Sequence, residues 1–151
     1  MRIPALALAA MLAASAQAQA ATFRVDDSLS LPSETTTTMK WRSLAPNRVV
    51  GNAVEGTNIV TVRLNFAPWL NRTGKVYMAL PEQPIGKVTA DWTTQGKLLP
   101  GTLQSGNRTL VFAGPIRVSL LEDTIVLRLT ADGQRLVAPQ RLQFYFEIDL
   151  D

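Results

Sequence analysis

The chain has 151 residues, of which 15 are Lys or Arg and 12 are Asp or Glu, and it contains neither cysteine nor histidine. This length suits one ordinary domain. The absence of both residue types excludes disulfides, thiolate and imidazole metal sites, and the Ser-His-Asp triad. The formal net charge of +3 comes from singly scattered basic residues, which predicts no nucleic-acid partner.

Residues 1–20 have the pattern of a secretory signal peptide. Arg2 supplies a positive start, residues 3–14 are almost entirely apolar, and small residues then alternate with glutamine as at a cleavage site. The apolar stretch is shorter than the ~20 residues that span a bilayer, and no later stretch reaches that length, so we expect no transmembrane segment in the mature chain. We predict cleavage after Ala20, or two residues earlier, with export to the periplasm and then to the cell surface.

Residues 21–34 form an N-terminal arm in which polar and apolar side chains alternate. Every even position from Thr22 to Ser30 is polar, and Asp27 is the one polar residue among the odd positions. The pattern predicts an amphipathic strand that ends at Pro32. This strand is either the first strand of its own sheet or an arm that inserts into a neighbouring subunit by strand addition.

Residues 35–151 show a hydrophobic period of two, which predicts β-strands. Turn signals separate the runs at the spacing of a sandwich or barrel, and no stretch of ten residues has helical periodicity. We predict one all-β domain of two packed sheets. The predicted strands are Val60–Phe66, Lys75–Leu80, Val88–Trp92, Leu98–Leu103, Thr109–Phe112, Ile116–Leu120, Thr124–Leu129, Arg135–Val137 and Leu142–Leu150.

This layout resembles the fimbrial subunits of the chaperone–usher pathway, and is most similar to their disulfide-free class 5 colonisation-factor type. The stretches Val60–Leu70 and Trp92–Leu98 are loosely similar to the middle of those pilins. The resemblance implies an immunoglobulin-like β-sandwich that lacks its last strand. A periplasmic chaperone would fill the resulting groove first, and the arm of the next subunit would replace it at an outer-membrane usher, giving a homo- or heteropolymer.

The same resemblance implies roles for two sets of apolar residues. The donor side chains of the arm would be Phe23, Val25, Leu29 and Leu31. The strand that flanks the groove and contacts the chaperone would carry Leu142, Phe144, Phe146, Ile148 and Leu150.

Two residues depart from the pattern of these pilins. Many of them have a penultimate tyrosine, whereas position 150 is Leu150. Asp27 would put a carboxylate where a donor side chain faces a pocket, and burying an unpaired charge is costly. Either the register shifts at Asp27, or Asp27 lies at an opening of the groove, or the arm is not a donor strand.

A different class of function is a self-contained periplasmic or surface β-sandwich that binds a carbohydrate or a protein of a host. Trp69 lies in a predicted loop and is the candidate exposed aromatic for such a ligand, whereas Trp41 and Trp92 continue apolar alternations and are predicted core residues. Asn71 and Asn107 begin glycosylation sequons that we interpret as turns, because the leader has a bacterial pattern.

Carboxylates are the only acid–base groups left for catalysis. Adjacent or alternating acids occur at residues 26–27, 122–123 and 147–151, and a hydrolase or a calcium site would need them clustered in a cleft. We expect them to be solvated surface acids, so we predict no enzymatic activity, no catalytic residue, no metal site and no cofactor.

Overall fold

Alternating apolar and polar side chains place most of the chain in β-strands. The computed structural model describes residues 21–33, 36–43 and 51–151. The predicted signal peptide and residues 34, 35 and 44–50 of the predicted arm and domain lie outside the described residues. The strands are β1 (Thr22–Val25), β2 (Leu31–Pro32), β3 (Lys40–Trp41), β4 (Ala53–Asn65), β5 (Thr73–Ala79), β6 (Thr89–Thr94), β7 (Gly101–Gln104), β8 (Arg108–Pro115), β9 (Leu120–Asp132) and β10 (Tyr145–Leu150).

These strands form two antiparallel sheets, as the predicted all-β sandwich requires. One sheet has four strands in the order β1-β10-β5-β8. The other has six, in the order β2-β4-β9-β6-β7, with β3 also paired to β4. The longest ladder joins β4 to β9 over 13 residue pairs, from Ala53 opposite Asp132 to Asn65 opposite Leu120.

The core lies between the inner faces of the two sheets. Every second side chain of β9 and β10 is buried, including Leu121, Ile125, Phe146 and Ile148. Burying each such side chain stabilises the fold by about 1.5–3 kcal/mol. Two-sheet packing therefore replaces the disulfide that a cysteine-free chain cannot form.

Two predicted strands are wrong, although one of them holds a core residue. Residues 116–119 are not in a strand, because after Pro115 the chain crosses from the four-stranded sheet to the six-stranded one. Ile116 is 1% exposed, and its backbone N–H donates to the Arg72 carbonyl oxygen at 2.8 Å. Residues 135–137 follow the turn after β9 and form no strand either.

Helical structure is confined, among the described residues, to one 3-10 turn at Ala67–Trp69. None of the described helical residues belongs to a helix that is long and apolar enough to cross a membrane.

Candidate functional site

The N-terminal arm pairs with the last strand of its own chain. β1 runs antiparallel to β10, with Thr22 opposite Asp149 and Val25 opposite Phe146, and the Leu150 N–H donates to the Ala21 carbonyl oxygen at 3.2 Å. Since β5 covers the other edge of β10, the arm supplies the outer neighbour that the chain's final strand would otherwise lack.

The arm is held on its inner side by few apolar contacts. Val25 is 1% exposed and belongs to the core, whereas Phe23 is 44% exposed and lies against Trp69 with ring centroids 6.1 Å apart. One fully buried valine contributes about 1.5–3 kcal/mol. β1 is therefore a short strand with a single deep anchor.

The predicted amphipathic strand of the arm ends at Val25 rather than at Pro32, because the chain turns there. Asn65 N–H donates to the Asp26 carbonyl oxygen at 2.9 Å, and Ser30 N–H donates to the Asp27 carbonyl oxygen at 2.9 Å. This turn carries the chain to the six-stranded sheet, where Leu31 pairs opposite Thr61. When an alternating segment turns in this way, the side chains after the turn no longer point to the same face as those before it.

The turn therefore separates the four predicted donor side chains into two pairs. Phe23 and Val25 lie on the core side of β1, but Leu29 and Leu31 are 59% and 58% exposed. Asp27 lies in the turn rather than in the β1 ladder, and its burial raises the pKa of the Asp27 carboxyl above its usual range.

An apolar groove of about 790 Å³ lies between the six-stranded sheet and the residues that precede β10. Val60 on β4 and Leu127 on β9 line it from the six-stranded sheet, and Leu142 and Phe144 line it just before β10. Arg141 is the one charged side chain among the described lining residues. Of the two strands of the arm, β2 lines the groove and β1 does not.

The five predicted groove-strand residues divide in the same way. Phe146, Ile148 and Leu150 are on the inner face of β10 and are buried. Leu142 and Phe144 are only partly buried and precede the strand, which begins at Tyr145 rather than at the predicted Leu142. They have no β-partner because the ladders to β1 and to β5 both end before they reach them.

The outer face of the four-stranded sheet carries a polar network. Arg108 on β8 donates to Asp149 at 3.0 Å and to Glu147 at 3.3 Å, and its guanidinium carbon lies 4.0 Å from the centroid of the Tyr77 ring. Thr22 Oγ1 donates to Asp149 at 2.7 Å. The network therefore crosses all four strands and ends on the arm.

These hydrogen bonds predict an acid-sensitive contribution to stability. The bond from Arg108, followed by that from Thr22, holds the pKa of Asp149 below its usual range. A lowered folded-state pKa stabilises the fold above the unfolded pKa, and this stabilisation is lost as the pH falls through the folded value. Asp149→Asn should lower the free energy of unfolding by about 1 kcal/mol at neutral pH, and the difference should be smaller at a pH well below about 3.9, the ordinary pKa of an aspartate.

Urea denaturation at the two pH values checks this prediction. Asp151→Asn is the matched control, since Asp151 is exposed one residue beyond the end of β10. An Asp149→Asn deficit that is the same at both pH values would contradict the ionic origin of the contribution.

The tryptophans correct two sequence predictions and confirm one. Trp69, the candidate exposed aromatic of a ligand loop, is only 9% exposed and packs in the core, because the 3-10 turn directs it inward. Trp41, predicted to be buried, is 48% exposed on the short strand β3. Trp92 is buried as predicted, and its indole N–H donates to the Leu99 carbonyl oxygen at 3.0 Å.

One acid that the sequence placed on the surface lies in the core. Asp123 is 5% exposed and accepts hydrogen bonds from the Leu98 N–H at 2.9 Å and from its neighbour Thr124 N–H at 2.7 Å. Its burial could have been predicted from the sequence, because Asp123 alternates with Leu121 and Ile125, which both point inward on β9. Through its hydrogen bond with Leu98, Asp123 attaches the turn between β6 and β7 to strand β9.

A second candidate ligand site is a polar groove of about 860 Å³ beside the start of β8. Neutral polar side chains such as Thr102, Gln104 and Asn107 line it, together with Tyr145. The described part of the chain holds no cluster of three or more metal-ligating side chains. Comparison with protein-family models, curated proteins and solved structures finds no match to this chain.

Proposed function

We propose that the protein is a structural subunit of a fimbria or a related surface polymer, assembled by donor-strand exchange. The observation that carries the proposal is the arrangement at β10: among the described residues its outer edge is paired only with the four residues of β1, and an apolar groove lies beside the residues that precede it. A last strand whose outer neighbour comes from the first segment of the chain supports the proposal, because an immunoglobulin-like sandwich without a final strand of its own would need such a neighbour.

The energetics favour an exchangeable arm. If the arm of one copy replaces that of another, the same β1–β10 ladder and the same Val25 contact form between chains, so exchange costs little interaction energy. An arm that continued in the register of β1 and β10 would also bring Leu29 opposite Leu142, which lines the groove. Exchange would therefore gain apolar burial that a single chain does not have.

The proposal assigns partners to each stage. With the arm displaced, β10 would present an unpaired edge and an apolar groove, which is an aggregation hazard. A periplasmic chaperone would cover this edge by strand addition until an usher brings the next subunit. These steps would occur in the periplasm and at the cell surface, to which the predicted signal peptide would direct the chain.

Engineered cysteines test the exchange, because the natural chain has none. Arg24 and Glu147 lie directly opposite each other in the β1–β10 ladder. Since the pair Ala21 and Leu150 is hydrogen-bonded, the alternation of an antiparallel ladder makes Arg24 and Glu147 a closely spaced pair without such bonds. Such a pair has the Cα separation that a disulfide needs.

Oxidising an equal mixture of the Arg24→Cys and Glu147→Cys chains should give disulfide-linked dimers on a denaturing gel. Each single variant alone is the control for random oxidation. In a chain carrying both substitutions, exchange should give a ladder of linked oligomers. The proposal fails if the double variant gives only internally linked monomer and the mixture gives no more dimer than either control.

The second candidate is a self-contained sandwich that binds a carbohydrate or protein ligand. The polar groove favours it, since hydroxyl and amide side chains beside Tyr145 are the chemistry that recognises sugars. Substitution of Gln104 and Asn107 with Ala should then abolish binding to glycans on an array, whereas the same change should leave disulfide-linked oligomers unaffected. If the doubly substituted chain binds glycans as strongly as the unchanged chain does, this groove is not the ligand site.

A further inference from the structure

Two side chains on the outer face of β1 contact β10. Thr22 Oγ1 donates to Asp149, which lies directly opposite it, at 2.7 Å. The guanidinium carbon of Arg24 lies 4.0 Å from the centroid of the Tyr145 ring, and Tyr145 is two residues along β10 from Glu147, the residue opposite Arg24. Such diagonal neighbours on a sheet face are within reach of long side chains. Arg24 and Tyr145 thus join the arm to the beginning of β10.

Most of the β1–β10 ladder is repetitive, so an arm shifted by two residues would meet similar neighbours. A shift of two residues keeps every side chain on its own face, whereas a shift of one residue reverses the facing. The outer-face residues that Thr22 would meet in the observed and the two shifted registers are all acids: Glu147, Asp149 and Asp151. The inner-face residues that Phe23 would meet are all apolar: Phe146, Ile148 and Leu150. Neither contact distinguishes the three registers.

The Tyr145 ring is the feature that a shifted arm would lose. A shift of two residues towards the end of β10 would take Arg24 from Tyr145 to Glu147, and the opposite shift would take it to Gln143. Glu147 already accepts a hydrogen bond from Arg108 at 3.3 Å. In the described part of the chain Arg24 forms no ion pair, and its guanidinium instead stacks on the ring. The stack therefore distinguishes the observed register from the two shifted ones.

Within one chain, the turn after β1 also holds the arm in place. The Asn65 N–H donates to the Asp26 carbonyl oxygen at 2.9 Å, and β2 pairs with β4 a few residues later. An arm that crossed to another copy in an extended form would leave this turn. Its register would then depend on the contacts between β1 and β10 alone.

We propose that the stacking of Arg24 on Tyr145 sets the register in which an exchanged arm pairs with β10 of a second copy of the chain. The inference rests on the proposed function, because it names the residues by which one copy positions the arm of the next. It assigns a positioning role to an exposed cation of the arm and to the aromatic ring at the beginning of β10.

Cysteine pairs in three registers test the role of the stack. A chain with Thr22→Cys is mixed in turn with Asp149→Cys, which matches the observed register, and with Glu147→Cys or Asp151→Cys, which match shifts of two residues. Thr22 and Asp149 form a closely spaced pair without backbone hydrogen bonds, as a disulfide requires. After oxidation, the Asp149→Cys mixture should give the highest yield of linked dimer on a denaturing gel. The ratio of this yield to the other two measures the preference for the observed register.

Removing either partner of the stack should weaken this preference. Arg24→Ala in the arm chain, or Tyr145→Leu in the receiving chain, should lower the ratio about two- to fivefold, as expected for a cation–π contact at an exposed site. The two changes together should lower it no further than either alone, because both remove the same contact. Arg24→Lys and Tyr145→Phe keep a cation and a ring, and should retain most of the preference.

The chain offers a matched control for each partner. Arg117→Ala removes an exposed cation outside the arm from the Thr22→Cys chain. Tyr77→Leu removes from the receiving chain a ring that Arg108, rather than the arm, approaches to 4.0 Å. Neither control should lower the ratio appreciably.

The outcomes separate the two proposals. If none of the three unchanged mixtures gives more dimer than the single variants alone, donor-strand exchange is wrong and the role of the stack falls with it. If dimers form without a preference for Asp149→Cys, or if the preference survives both Arg24→Ala and Tyr145→Leu, the stack does not set the register and exchange stands. Circular dichroism of each variant checks that a changed yield does not come from unfolding.

Discussion

Asp123→Ala should lower the free energy of unfolding by about 3 kcal/mol, because it removes two charge-assisted hydrogen bonds and leaves buried N–H groups unsatisfied. Its two carboxylate oxygens accept from Leu98 N–H and Thr124 N–H, and only 5% of the residue is exposed. The turn lies directly against this carboxylate, since a Cβ at Gly96 would lie 2.9 Å from Asp123 Oδ1. Urea denaturation at neutral pH measures the loss.

Two variants make this prediction specific. Asp123→Asn keeps one acceptor oxygen and should recover part of the loss, because an amide can still accept one of the two hydrogen bonds. Glu122→Ala removes the adjacent acid, which forms an exposed ion pair with Arg63 at 2.7 Å, and should cost less than about 1 kcal/mol. Equal losses for Asp123→Ala and Glu122→Ala would show that Asp123 does not hold the turn.

Val25→Asp should detach the arm from β10 and cost about 2–4 kcal/mol, because the only deeply buried side chain of β1 would become a carboxylate. Separating β1 from β10 is less costly than burying the charge, so β1 should be displaced while the rest of the sandwich stays folded. Hydrogen exchange of the Leu150 amide reports this directly, since that N–H donates to the Ala21 carbonyl oxygen. Its exchange should become much faster.

Ala21→Asp is the matched control for Val25→Asp. It adds the same charge to the same arm at an exposed position just before β1, and it should change neither stability nor exchange at Leu150 appreciably. If the Leu150 amide stays protected in Val25→Asp, the arm is anchored by contacts other than Val25. The outer-face network through Thr22 and Asp149 would then be the first candidate.

Alternation along single strands was the part of the fold that sequence reasoning predicted well. Thr124–Leu129 lies within β9, and Val60–Phe66 ends one residue past β4, because period-two patterns reflect burial of one sheet face. The same rule was wrong at residues 116–119, where the alternation belongs to a crossing between sheets. Local pattern cannot distinguish a strand from a connection that buries one side chain, as Ile116 does.

The candidate site was predictable in its residue types but not in its arrangement. The apolar residues of the arm and of Leu142–Leu150 were identified from the sequence, and they do meet, but only along the four residue pairs of β1 and β10. Trp69 is buried and Trp41 is exposed, the reverse of the prediction. A 3-10 turn directs Trp69 inward, and the two-residue strand β3 leaves Trp41 at the surface. Arg141 had no sequence signal, because its position at the groove depends on where β10 begins.

The sequence by itself determined that the protein is all-β, that its stability comes without disulfides, and that its first and last segments are amphipathic. These properties follow from composition and from the period of single segments. Only the tertiary structure decided that the arm turns after Val25, that Asp123 is buried, and that an apolar groove with one arginine stays open beside β10. These features depend on which strands become neighbours, and pairing between residues more than a hundred positions apart is not written in any local pattern.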